Sequence, residues 1–209
     1  PAGEHTIGID ADVTSDCDVL LYAPLATGAT LRSAIASTGR TVRRIASAYD
    51  LTPELLARSS VIVLAQTYVA MPPVVTRAIE ARVEQGAACV LIHHGGSVDV
   101  DERLARFSGA RARITDDFWD HAGRDATYQL TDTGRSLWPV LPASLVVPTN
   151  HRLSAEPDEQ TAVLAEERLA DGTRAGVVTR RPRGRGWVWW IAAGGSMLDR
   201  STIDLTLPH

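Results

Sequence analysis

The chain alternates short apolar runs with amphipathic and polar stretches. Asp18–Ala23 is an apolar run that predicts a core strand, and Thr27–Ser37 then predicts a helix, with Thr27 or Thr30 as its cap and Gly39 as its end. Thr41–Ile45 suits a short second strand. Thr52-Pro53-Glu54 suits the start of a brief helix, with proline at its first position. Ser60–Ala65 is fully apolar after its first residue, as a strand buried on both faces would be. Pro72–Gln85 predicts a helix with Val74, Val75, Ala78, Ile79 and Val83 on one face, stopped by Gly86. A strand over Cys89–His93 follows, then a helix over Asp99–Phe107 and a strand over Arg111–Ile114.

The second half changes character. Leu145–Val147, Thr161–Leu164, Ala175–Thr179 and Trp187–Ala192 read as strands without long helices between them, separated by the turns at Asp171-Gly172 and Arg183-Gly184-Arg185-Gly186. The expected fold is therefore α/β: three layers around a mostly parallel central sheet of flavodoxin type, with an antiparallel C-terminal extension. No linker, repeat or low-complexity segment interrupts the chain, so residues 1–209 are expected to form one domain.

Composition narrows the chemistry. Net charge is -4, which does not suggest a nucleic-acid partner. No apolar run approaches the ~20 residues that span a bilayer, so no membrane partner is expected. The first residues lack the basic-then-apolar pattern of a signal peptide, and a cytoplasmic location is expected. Every basic residue is arginine; with no lysine there is no Schiff-base or Walker-type lysine chemistry. Two cysteines, Cys17 and Cys89, make neither a disulfide scaffold nor a metal motif and are expected to be buried apolar fillers.

The densest chemical signal is the run ending Leu91-Ile92-His93-His94-Gly95-Gly96-Ser97. A buried strand stops at two histidines, and two glycines permit a sharp turn. Ligands of open α/β sheets sit beyond the carboxyl ends of such strands, so the main pocket is expected there. As adjacent residues of an extended segment, His93 and His94 should point to opposite faces. Ser97 suits a helix cap for the Asp99 segment. A second cluster, Asp116–His121, combines carboxylates, Phe118, Trp119 and a histidine. It suits either a loop over the pocket or an acidic surface loop anchored by its aromatics. A third, Thr149-Asn150-His151-Arg152, offers hydrogen-bonding groups for hydroxyls or carboxylates, or simply a solvated strand end. Trp187, Trp189 and Trp190 are expected to pack the core and sheet, and Arg180, Arg181, Arg183 and Arg185 to form a solvated turn or, alternatively, to attract an anionic partner.

Three segments carry a family resemblance. Pro72–Gln85 followed by Gly86-Ala-Ala-Cys-Val-Leu-Ile-His93 resembles a helix, glycine turn and strand ending in a Gly-Ile-His type element. Leu104–Ala110 and the later His121 resemble the segment after that turn. Arg180–Gly194 resembles a closing element in which a Gly-Lys-Gly-like hairpin feeds a strand ending in Leu-Gly-His. Together, over roughly residues 18–196, the chain resembles the ThuA-like (trehalose-utilisation) branch of the class I glutamine amidotransferase-like superfamily. It departs from that pattern in three places. Gly195 stands where the family carries a histidine, Thr149–Arg152 replaces an Asp-Glu pair, and Met197–His209 is too short for the family's C-terminal helix.

The resemblance implies a pocket over the His93 turn. Glutaminase chemistry is not expected, because the turn tip carries histidines while Cys89 lies four residues back in the strand. The remaining chemistry is acid–base, with His93, His121 and Asp117 as catalytic candidates. His94, Gly95, Gly96, Trp119, Asn150, His151 and Arg152 are candidates for substrate contact. The implied function is isomerisation, elimination or hydrolysis of a polar, sugar-derived small molecule. The alternative is a non-catalytic ligand-binding or assembly domain on the same fold. No cofactor is expected. A divalent metal held by His93 or His94 with Asp117, His121 or His151 is an open alternative without a close-spaced ligand motif. The sequence leaves the oligomeric state open, a homodimer included.

Overall fold

The computed structural model describes residues 17–24, 28–65, 69–114, 124–149, 153–169 and 171–193. Its centre is a nine-stranded sheet. The strands are β1 (Cys17–Tyr22), β2 (Val42–Ile45), β3 (Ser59–Ala65), β4 (Ala88–Ile92), β6 (Arg124–Leu130), β7 (Ser144–Thr149), β9 (Ala162–Arg168), β10 (Arg174–Arg183) and β11 (Gly186–Ile191), in the order β2-β1-β3-β4-β11-β10-β9-β6-β7. The first five in that order are mutually parallel. The rest are antiparallel to their neighbours. Two short strands, β5 (Arg113–Ile114) and β8 (Leu153–Ser154), pair separately.

The central strands are buried on both faces, as their unbroken apolar runs require. Val19–Leu21, Val61–Leu64 and Cys89–Ile92 all belong to the core, and β1, β3 and β4 are adjacent, as expected. The parallel order 2-1-3-4, closed by β11, is that of a flavodoxin-like sheet. Among the described residues the flanking helices are α1 (Gly28–Ala36), α2 (Pro53–Ala57), α3 (Pro73–Glu84), α4 (Glu102–Ser108) and α5 (Asp132–Leu137). Thr52 caps α2 by accepting from the Leu55 amide, with Pro53 at the first helical position. Thr27 lies outside the described residues. No helix among those described is long and apolar enough to cross a membrane.

Several expectations need correcting. β11 does not belong to the antiparallel extension: it pairs in parallel with β4, and the extension starts at β10. The alternating tryptophans hid this, because a hairpin partner and a parallel neighbour give the same burial pattern. β6 was not expected, since Arg-Asp-Ala-Thr-Tyr-Gln-Leu has no apolar run. It buries only one face, through Ala126, Tyr128 and Leu130. Val74, in the first turn of α3, is exposed, whereas Thr76 takes a buried place with Val75, Ile79 and Val83.

The arginine hairpin is a solvated turn only at its tip, where Pro182, Gly184 and Arg185 are exposed. Arg181 is buried and bonds Asp158 at 2.6 Å. Arg181 and Arg183 also donate to the Arg106 and Phe107 carbonyls in the last turn of α4, where helix carbonyls run short of intrahelical donors. Trp190 and Trp189 are core residues, and Trp189 packs on Trp138 with ring centroids 5.6 Å apart.

Candidate functional site

β4 ends at Ile92, one residue earlier than the sequence suggested, and His93–Gly96 form a single 3-10 turn. His93 enters that turn at φ 58°, in the left-handed region. A residue with a Cβ holds that conformation at a cost of roughly 1–3 kcal/mol, so the surroundings must enforce it. Here the enforcement comes from β11. The Trp190 indole Nε1 donates to the His93 carbonyl at 2.9 Å, with both groups buried. The same indole lies against Gly96, where a Cβ would stand 2.2 Å from Trp190 Cδ1. Only glycine fits between the turn and the indole.

The next residues stitch the turn to its flanks. Ser97 N–H donates to the His94 carbonyl, and Ala112 N–H donates to that of Gly96. Ser97 does not cap a helix. Its hydroxyl accepts from the Asp99 amide, and α4 is capped by Asp101, which accepts from Leu104 N–H. The other Asp101 oxygen accepts from Met71 N–H at 2.9 Å. One carboxylate thus ties the segment after β3 to the helix after β4.

The bend overturns the expectation that the two histidines diverge. The backbone is no longer extended after Ile92, and the rings meet edge to face, with centroids 4.3 Å apart and planes at 83°. His93 is 1% exposed and His94 5%, and Gly95 and Gly96 are buried with them. Two hollows among the described residues lie away from this turn. One is lined by Ala29, Arg32, Ser33, Ala36 and Arg44, the other by residues of α3 and α4 with Arg183.

Cys89 lies in mid-strand, fully buried, and burial pushes its thiol up to about 12. A buried thiol held protonated is a poor nucleophile, and Cys89 packs as the apolar filler expected. Of the other expected site residues, Asp117, Trp119, His121, Asn150, His151 and Arg152 lie outside the described residues. So do Gly195 and the final segment. Among the described residues no group of three or more His, Cys, Asp or Glu side chains is placed to hold a metal. Sequence reasoning missed Trp190 as the prop of the turn; its signal was an indole on a buried strand, which requires an acceptor for its N–H.

No family model matches the chain, and neither does any curated protein. Solved structures do match. A protein described as ThuA-like, from Bacteroides uniformis, superposes with a TM-score of 0.65 at 13% identity, covering 90% of this chain and 86% of that one. A β-galactosidase from Bacillus circulans sp. alkalophilus gives a TM-score of 0.68 at 16% identity, covering 92% of this chain but 30% of the enzyme. A protein described as a component of GMP synthase, from Thermoplasma acidophilum, gives 0.63 at 11% identity, covering 92% and 94%. At these identities the likeness is one of fold. The fold is ThuA-like, within the amidotransferase-like α/β class, and the chain spans less than a third of the β-galactosidase it matches.

Proposed function

We propose that this chain is a non-catalytic domain of ThuA-like fold, serving ligand binding or assembly within a larger carbohydrate-active protein. The burial of His93 and His94 carries this reading. The fold's strand-end turn holds two histidine rings packed on each other instead of a nucleophile open to substrate. The match to β-galactosidase supports the setting, because nearly all of this chain corresponds to under a third of a longer glycosidase.

A second reading rests on one specific observation. His93 sits at φ 58°, and strained non-glycine residues at a strand-to-turn elbow cluster at functional sites. On that reading His93 transfers a proton on a polar, sugar-derived substrate, with Asp117 and His121 as partners and His94, Gly95, Gly96, Trp119, Asn150, His151 and Arg152 around the substrate.

One paired experiment separates the two. The purified protein is assayed with nitrophenyl galactosides and mannosides, aldonolactones and ketoses, and thermal unfolding is followed for wild type and His93→Asn. The domain reading expects no turnover and a lower melting temperature for the variant. Turnover that His93→Asn abolishes, by about 100-fold or more at an unchanged melting temperature, would establish the enzyme instead.

A further inference from the structure

Away from the strand-end turn, β10 and β11 place an arginine among indoles with no counter-charge among the described residues. Arg180 and Trp189 are register partners across the two strands, and Arg180 pairs with Ala162 on its other side, in β9. Neither neighbour carries a carboxylate. The Arg180 guanidinium lies 3.3 Å from the centroid of the Trp187 ring and 4.9 Å from that of Trp189. Its Nε is buried without an acceptor among the described residues, and so is the Nε1 of Trp189. Burial pulls the Arg180 guanidinium below its usual pKa. Trp187, in contrast, is 38% exposed.

A half-buried guanidinium keeps its charge and usually meets an anion or carbonyl acceptors, and ring faces offset only part of the lost hydration. Arg181 and Arg183, on the same strand, show the ordinary solution: one has Asp158, and both have helix-end carbonyls. Among the described residues Arg180 has neither. Its planar fork is suited to a carboxylate, and a partly exposed indole beside it is suited to contact with the apolar face of a ring.

We propose that Arg180, Trp187 and Trp189 form a binding platform for a small organic carboxylate carried on a ring with an apolar face. The guanidinium takes the carboxylate, the exposed part of Trp187 packs against the ring, and Trp189 backs the guanidinium from the core. This site lies apart from the His93 turn and does not depend on what that turn does. A sugar acid and an aromatic acid share the required chemistry, and the experiment tells them apart.

Calorimetric titration of the whole protein with D-galacturonate, benzoate, D-galactose and acetate tests the platform, because the last two each carry only half of the feature. The expectation is saturable binding of galacturonate or benzoate, about tenfold or more tighter than galactose or acetate. Binding of galacturonate alone assigns a sugar acid, and binding of benzoate alone an aromatic one. Arg180→Gln and Trp187→Ala, each with a wild-type circular dichroism spectrum, should weaken that binding about tenfold or more. The proposal is overturned if neither ring acid saturates, if acetate binds as tightly as they do, or if Arg180→Gln binds like wild type. None of these outcomes bears on turnover at His93, so the two proposals fail separately.

Discussion

The Trp190 indole on β11 donates its N–H to the carbonyl of His93, 97 positions earlier in the chain, at 2.9 Å. That bond fixes the carbonyl of the one residue that must turn left-handed for β4 to enter its tight turn. Trp190→Phe keeps an aromatic ring beside Gly96 but leaves a buried carbonyl without its donor. The expected cost is about 2 kcal/mol. In a chain of this size that lowers the melting temperature by roughly 4–8 °C. A variant that melts like wild type would show that the indole merely fills space.

Cys89 makes the stability depend on alkaline pH. Its thiol has an ordinary pKa of 9.0 in the unfolded chain and is pushed up to about 12 in the fold. The raised folded pKa means that the contribution is complete below pH 9 and is lost as pH climbs from there towards 12, because only the unfolded chain releases the proton. Between those limits the difference in unfolding free energy between wild type and Cys89→Ala should fall by up to about 1.4 kcal/mol per pH unit. Tyr22, also raised by burial, acts in the same direction but is common to both proteins and cancels. Denaturant titrations at rising pH check this. A difference that does not change with pH would place the thiol in contact with solvent.

Thr179 occupies an apolar place. It is buried on β10 opposite Trp190, and its hydroxyl has no hydrogen-bond partner among the described residues. Valine has nearly the same shape and no hydroxyl to desolvate. Thr179→Val should therefore stabilise the fold by about 1 kcal/mol, read as a higher denaturation midpoint with an unchanged slope. A loss of stability would point to a buried acceptor for that hydroxyl.

The parallel half was legible in the sequence because burial on both faces leaves a simple trace. Val-Leu-Leu, Val-Ile-Val-Leu and Cys-Val-Leu-Ile cannot be solvated, and their order with α3 between the last two sets the topology. The antiparallel half was harder to read. β6 hides alternating core residues among charged ones, and β11 looks like a hairpin partner although its other edge completes the parallel sheet. At the site, the location of the turn was readable and its geometry was not. The adjacent histidines come together because His93 turns left-handed, and that depends on a tryptophan nearly a hundred residues away. In the arginine hairpin the composition suggests solvent throughout, whereas the carbonyls at the end of α4 supply acceptors for Arg181 and Arg183 from a distant part of the chain.

Arg181 is where this long-range dependence is most exposed to mutation. Its side chain is 10% exposed, bonds Asp158 at 2.6 Å and also donates to the Arg106 carbonyl and the Gln160 side chain. It also packs on Gly109, which ends α4 at φ 70°, where a Cβ would collide with Thr161 Oγ1 and Arg181 Cδ. Arg181→Ala removes the partner of Asp158, a donor at the helix end and a packed stem together. Breaking a buried pair from one side costs about 3–5 kcal/mol, and the lower end applies here because Asp158 is 35% exposed and partly rehydrated. Arg183→Ala, whose donors are more open to water, should cost about 1 kcal/mol. The two variants also separate a local effect from a transmitted one. α4 begins a few residues after the His93 turn and is tied to it through Ser97 and Asp101. In Arg181→Ala the amides of Ala105 and Gly109 should exchange faster than the fall in global stability alone requires. The amides of β1 and β3 should follow the global value. Uniform acceleration across the sheet would mean that α4 and the sheet unfold as one unit, and that Arg181 stabilises the whole rather than holding the helix end.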